Sequence, residues 1–234
     1  EEGHAGGRFP RPDLAERLER VLEKTRPDLV FACYGINCGI YQPYDEERFQ
    51  AYQQGLRFLR DRVQKHGAKI VHVTPPTYDD ARKKADFSYN EVLDRYSEWL
   101  LSQRREGWHV VPLHFPMGQE LARRRESDSD FTFQPDAVHP NPAGHWFMAQ
   151  QLMKWFGDER AAAAESIESL LSDRAISPQA FPIVHERMQL LRNAYLSAAG
   201  HKRPGVPPGL PLKGANAKAA GLTQLLNEFL SQND

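Results

Sequence analysis

Leu29-Val30-Phe31-Ala32-Cys33-Tyr34, followed at once by Gly35-Ile36-Asn37-Cys38-Gly39, is the stretch on which the fold turns. Six consecutive apolar residues, unbroken by polar alternation and closed by a Gly- and Asn-bearing turn, have the length and pattern of a strand buried in a parallel sheet. Upstream, Arg26-Pro27-Asp28 separates it from a helix to about Lys24, in which Leu14, Leu18, Val21 and Leu22 recur at helical spacing. Downstream, Asp45-Glu46-Glu47 places acidic residues at a helix start, and Phe49, Tyr52, Leu56, Leu59 and Val63 mark its apolar face as far as His66-Gly67. Lys69 to Thr74 reads as a second strand stopped by Pro75-Pro76, Tyr89 to Gln103 as a helix, and Trp108 to Leu113 as a third strand. Short and long helices follow over Met117 to Arg125 and Pro142 to Phe156. Strands alternating with helices predict an α/β fold, a three-layer α/β/α sandwich with a mostly parallel sheet of the flavodoxin-like kind. In such sheets ligands bind outside the carboxyl ends of the strands. Three segments fall there: Gly35 to Gly39, Thr74 to Pro76, and the Pro-rich loop carrying Asp136 and His139.

Composition narrows the function classes. A chain of 234 residues, 40% hydrophobic and 26% charged, suits one buried core of about 150 residues and an appendage. Thirty Lys and Arg against 31 Asp and Glu leave a net charge of -1, so no nucleic-acid or anionic-membrane partner is indicated. No apolar run approaches the roughly 20 residues of a membrane span, and no basic-then-apolar signal pattern opens the chain. Cys33 and Cys38 are too few for a disulfide scaffold and lack metal spacing, so two free thiols are expected. The chain begins Glu1-Glu2-Gly3 without Met, which leads us to expect an upstream segment. Beyond Gly157 the character changes to helices over Ala161 to Leu171, Ile183 to Ala199 and Ala215 to Leu230, with a Pro/Gly-rich stretch over 200–211 containing His201-Lys202-Arg203. The division expected is an α/β domain over 1–157 and a helical extension over 158–234.

The loop Gln134-Pro135-Asp136-Ala137-Val138-His139-Pro140 sets a carboxylate and an imidazole three residues apart, just before a helix. A short loop that lets a carboxylate orient an imidazole is one way hydrolases build a general base. Other readings stand beside it. Asp136, His139 and His145 have the residue types, though not the spacing, of a strong zinc site. Cys38 is a thiol at the same sheet edge as His139. Asn37 is suited to capping its turn, His145 to capping or packing at a helix start, and His72 and His109, inside strands, to core or surface positions.

Gly35-Ile36-Asn37-Cys38 and Asp136-Ala137-Val138-His139-Pro140, about 100 residues apart, resemble two sequence blocks of the SGNH/GDSL hydrolase family, and the resemblance covers about residues 3 to 157. It implies that His139 is the general base, that Asp136 fixes its tautomer, and that Asn37 donates its side-chain amide to an oxyanion, a contact typically worth about 3 kcal/mol. Gly7, or Gly6, resembles the family glycine whose backbone N–H is a further oxyanion donor. No cofactor and no metal are implied. The sequence departs from the family pattern in two places. Cys38 stands where the family has Asp, and the nucleophilic serine of the Gly-Asp-Ser block is absent. Ser88, Ser97 and Ser102 lie in helical context and are not substitutes. The serine is therefore expected upstream, the sheet is expected to lack its first strand and keep an unpaired edge, and this chain alone is expected to be inactive, since losing a triad nucleophile costs about a millionfold in kcat. The implied substrates are short acyl or acetyl esters, including esters of carbohydrate, with Tyr41 and Tyr44 as a substrate wall. A second class remains open, a non-catalytic module that binds an acyl or sugar group on the same scaffold.

Overall fold

The computed structural model describes residues 14–83, 85–174, 176–201 and 206–231. The chain enters through α1 (Leu14–Thr25), which belongs with the C-terminal helices. From Pro27 to Ala163 it forms one compact unit containing β1 (Leu29–Cys33), α2 (Glu46–Lys65), β2 (Lys69–Val73), α3 (Tyr89–Ser102) with a 3-10 turn at Gln103–Glu106, β3 (His109–Val111), α4 (His114–Arg125), α5 (Pro142–Trp155) and α6 (Glu159–Ala163). The three strands are parallel and pair in the order β1-β2-β3, with Phe31 beside Val71 and Val71 beside His109.

Side-chain alternation divides the sheet into two faces. Val71, Val73 and Val111 bury one face against Leu113, Met117, Leu121 and Phe133, with Phe147, Leu152 and Trp155 of α5 packed on that cluster. The opposite face carries Ile70, His72 and Val110. There Trp108 stacks on His72 at 4.6 Å and Arg60 of α2 lies 5.0 Å over Trp108, while Tyr52 of α2 stacks on Tyr96 of α3 at 4.5 Å. This is the α/β/α layering that the alternation of elements predicts.

One expectation needs correction. β1 reads as a strand buried on both faces, but Leu29 and Phe31 are 39% and 43% exposed. The cause is position: among the described residues β1 pairs with β2 alone, α5 packs on the Val71, Val73 and Val111 cluster of β2 and β3, and Phe156 meets Phe31 edge-on at 5.9 Å without covering it. α4 also starts three residues earlier than its apolar pattern suggests. The Thr74 hydroxyl at the end of β2 accepts from the backbone N–H groups of Leu113 and His114 (2.8 and 2.9 Å), a cap supplied from 40 residues away.

The second unit consists of α1 and the chain from Ala164 on: α7 (Ile167–Asp173), α8 (Ala180–Ala198) and α9 (Leu212–Ser231). The expected helix over Ala161 to Leu171 is broken, because Ser166 caps α7 in a reciprocal pair with Ser169 (3.1 and 3.2 Å). α8 and α9 pack together, with Arg187 donating to the Thr223 hydroxyl at 2.9 Å and Arg20 of α1 reaching the Ala199 carbonyl at 3.3 Å. None of the described helices is long and apolar enough to cross a membrane.

Candidate functional site

β1 delivers the chain into a tight turn at Gly35, whose φ is +135° and whose Cα lies so close to the loop after β2 that a Cβ there would stand 2.8 Å from Pro75. Only glycine combines that backbone with that approach. Asn37 follows. The carbonyl before it, on Ile36, accepts from the Tyr89 hydroxyl at 2.9 Å, and its own carbonyl accepts from the Ile40 N–H at 3.1 Å. Ile40 and Tyr41 both take left-handed backbone, φ +50° and +57°, which folds Tyr41 back so that its hydroxyl donates to Asn37 Oδ1. The Tyr41 ring packs 5.3 Å from Tyr89 and 5.9 Å from Tyr78.

The loop after β2 is held from three sides. Asn90 of α3 accepts from the Tyr78 N–H at 2.9 Å, and Asp80 accepts from the Ser88 hydroxyl and the Tyr89 N–H (2.7 and 3.0 Å). Asp79, buried, receives both contacts of one Arg125 nitrogen (2.9 and 2.7 Å) and the Thr132 hydroxyl. Its backbone N–H donates to the Ala137 carbonyl at 3.0 Å, between Asp136 and His139. Fully buried Gln134 adds a second tie by donating to the Thr77 carbonyl at 3.0 Å. The segment Phe131 to Ala137 is thereby fixed to the carboxyl end of β2.

On that support the Asp136 carboxylate divides its two oxygens. Oδ1 accepts the backbone N–H groups of Val138 and His139 (3.0 and 2.7 Å), and Oδ2 lies 2.6 Å from His139 Nδ1. The His139 N–H, the imidazole and the Val138 N–H together hold the Asp136 carboxyl well below the usual carboxylate range. An ionised Asp136 accepts the hydrogen bond of Nδ1–H, which keeps the proton on Nδ1 and leaves His139 Nε2 as the basic nitrogen. The imidazole side chain is 82% exposed, and among the described residues Nε2 has no partner. Ala137 pays for the turn with a left-handed φ of +76°, and Asn141 closes the loop by capping α5 through the Gly144 N–H at 2.9 Å.

Four of the six expected site residues are thus linked. Asn37 contacts Tyr41, Tyr41 packs on Tyr78, and Tyr78 lies close enough to Asp136 that its hydroxyl pKa is raised, by burial first and then by the carboxylates of Asp80 and Asp136. Asp136 in turn holds His139. Tyr44 points elsewhere: it donates to Glu46 at 2.6 Å and lies under Arg95 at 4.3 Å. Gly7 lies outside the described residues. Among the described residues no three His, Cys, Asp or Glu are grouped to hold a metal ion, and His145 donates its backbone N–H to Asn141 as part of the α5 start.

Sequence reasoning missed Asp79, Gln134 and Arg125, the residues that hold the loop, and the part played by the Tyr41 hydroxyl. It also missed a second carboxylate–imidazole pair, Asp94 and His114 at 2.8 Å, whose buried imidazole sits at the start of α4. A signal for Asp79 existed: a carboxylate three residues after the strand-ending Pro75-Pro76, at the sheet edge where sites form.

The family model described as GDSL-like Lipase/Acylhydrolase matches residues 2–147. Among solved structures the chain is similar to a gut microbial diltiazem-metabolizing enzyme, at 24% identity and TM-score 0.49, over 61% of this chain and 36% of that one. It is also similar to a catalytic mutant of an acetylxylan esterase from Geobacillus stearothermophilus, at 21% identity and TM-score 0.47, over 62% of this chain and 66% of that one. A second mutant of the Geobacillus protein, described as an acetyl-xylooligosaccharide esterase, is similar at 21% identity and TM-score 0.46, with the same coverage. The chain spans between about a third and two thirds of the length of these solved proteins. No curated protein matches it in sequence.

Proposed function

The chain belongs to the GDSL-like lipase/acylhydrolase family, and from that premise we propose that it carries the base, the orienting acid and one oxyanion donor of a serine esterase. His139 Nε2 accepts the proton of a serine hydroxyl as that oxygen attacks the ester carbonyl, then returns it to the leaving alcohol. Asp136 keeps the ring in the tautomer this requires and stabilises the imidazolium formed in between. The Asn37 amide donates to the tetrahedral oxyanion, with the Gly7 backbone N–H as the proposed companion donor. The serine itself is proposed to lie in natural sequence upstream of Glu1. The substrate class is a short acyl or acetyl ester, with acetylated carbohydrate included, and the Tyr41 ring, beside Asn37, is the wall proposed for it.

The observation that carries this reading is the 2.6 Å contact of Asp136 Oδ2 with His139 Nδ1, on a carboxylate whose other oxygen is fixed by two backbone N–H groups. The test is hydrolysis of p-nitrophenyl acetate by the protein with its natural upstream sequence. Asn37→Ala is expected to lower kcat about 10²- to 10³-fold. An unchanged kcat, or no hydrolysis of any acyl or acetyl ester by the parent protein, overturns the proposal and favours a non-catalytic binding module.

A further inference from the structure

We propose that Tyr41 is a positioning residue that acts through Asn37, an inference that rests on the esterase reading above. An Asn side chain can serve an oxyanion only when its NH₂ end faces the reacting oxygen, because the carbonyl end would repel the developing charge. Nothing in an amide's own shape selects between the two orientations. Here the Tyr41 hydroxyl donates to Asn37 Oδ1, so the carbonyl end is engaged within the protein. Nδ2 has no partner among the described residues and is left for substrate. A donor on Oδ1 also polarises the amide and strengthens the N–H groups at its other end.

Tyr41 is itself held in the place this needs. It lies only four residues after Asn37, and two consecutive non-Gly residues, Ile40 and Tyr41, take left-handed backbone to bring the ring back over the turn. The ring is then fixed between Tyr78 and Tyr89, and Tyr89 separately pins the Ile36 carbonyl. Strained backbone of this kind persists where the surroundings over-determine it, and it gathers at functional sites. A tyrosine needed only to cover the core would not have to return its hydroxyl to the Asn37 side chain.

The experiment is a double-mutant cycle on kcat and KM for p-nitrophenyl acetate, in the protein with its natural upstream sequence, with Tyr41→Phe, Asn37→Ala and the pair. Tyr41→Phe is expected to lower kcat about tenfold, the size of one neutral hydrogen bond, with KM within about twofold. Added to Asn37→Ala it is expected to cost nothing further, because the group it positions is gone. In the present chain the same variant is expected to shift the Asn37 side-chain amide signals in a ¹H–¹⁵N spectrum while leaving the melting temperature within about 2 °C, a readout independent of activity. Equal losses from Tyr41→Phe with and without Asn37 would overturn the inference, as would a raised KM at constant kcat, which would make the hydroxyl a substrate contact. If Asn37→Ala alone left kcat unchanged, the esterase role of Asn37 would fall, and the positioning role with it. An active Asn37-dependent enzyme indifferent to Tyr41→Phe would sink the positioning role alone.

Discussion

Substituting His72 with Phe isolates a source of acid sensitivity at the centre of the sheet. His72 is fully buried in β2, its ring stacks on Trp108, and neither ring nitrogen has a hydrogen-bond partner among the described residues. Burial, and secondarily the Arg60 guanidinium, push the His72 pKa down from 6.5 to about 4. The folded protein therefore keeps this ring neutral at pH values where the unfolded chain protonates it, so folding stability falls as pH drops from about 6.5 toward 4 and levels off below. At about 1.4 kcal/mol per pH unit, the whole interval corresponds to about 3 kcal/mol, of which about 2 kcal/mol is lost between pH 7 and pH 5. The assay is urea unfolding of the chain and of His72→Phe at pH 7 and pH 5, reading the stability difference between the two proteins at each pH. The variant should gain about 2 kcal/mol on the parent as pH falls over that range, because phenylalanine preserves the stack and cannot be protonated. A difference that is the same at both pH values would refute the account of His72 as a buried neutral imidazole.

Other perturbations address the support of the site. Asp79→Ala removes the partner of Arg125 and of Thr132 and leaves a guanidinium three-quarters buried; a loss of about 3 kcal/mol in urea unfolding is expected, with faster amide exchange at Val138 and His139. Gly35→Ala places a methyl 2.8 Å from the Pro75 ring on backbone of φ +135°, and a lowering of the melting temperature corresponding to about 2 kcal/mol or more is expected. Asp136→Asn keeps the size of the side chain but lets the His139 ring adopt the wrong tautomer; in the protein with its natural upstream sequence kcat is expected to fall about 10⁴-fold with little change in KM.

The parts of this molecule that were legible in the sequence are those decided locally. Asp45 caps α2 through the Arg48 N–H at 2.8 Å, Pro75-Pro76 ends β2, and Asn141-Pro142 opens α5, each within a few residues of the boundary it sets. The Asp136–His139 pair was legible for the same reason, because its geometry is made by two backbone N–H groups inside the loop. What escaped was decided at a distance. The face of β1 is open because of where α5 lies, and the start of α4 is moved by the Thr74 hydroxyl just past the end of β2. The clamp on the site loop joins Asp79 to partners 46 and 53 residues away, which no period of 2 or 3.6 reports. Tyr41 falls between these cases. Its nearness to Asn37 was visible, but the left-handed turn that turns its hydroxyl back onto Asn37 has no signature in residues as ordinary as Ile40 and Tyr41.

The central claim is that His139, oriented by Asp136, activates a serine. A fluorophosphonate that labels activated serines, applied to the protein with its natural upstream sequence and read by intact mass and peptide mapping, tests this without knowledge of the substrate. The account predicts one label on a serine preceding Glu1, lost in His139→Ala with the melting temperature unchanged. No label, or a label that persists at the same rate in His139→Ala, would contradict it.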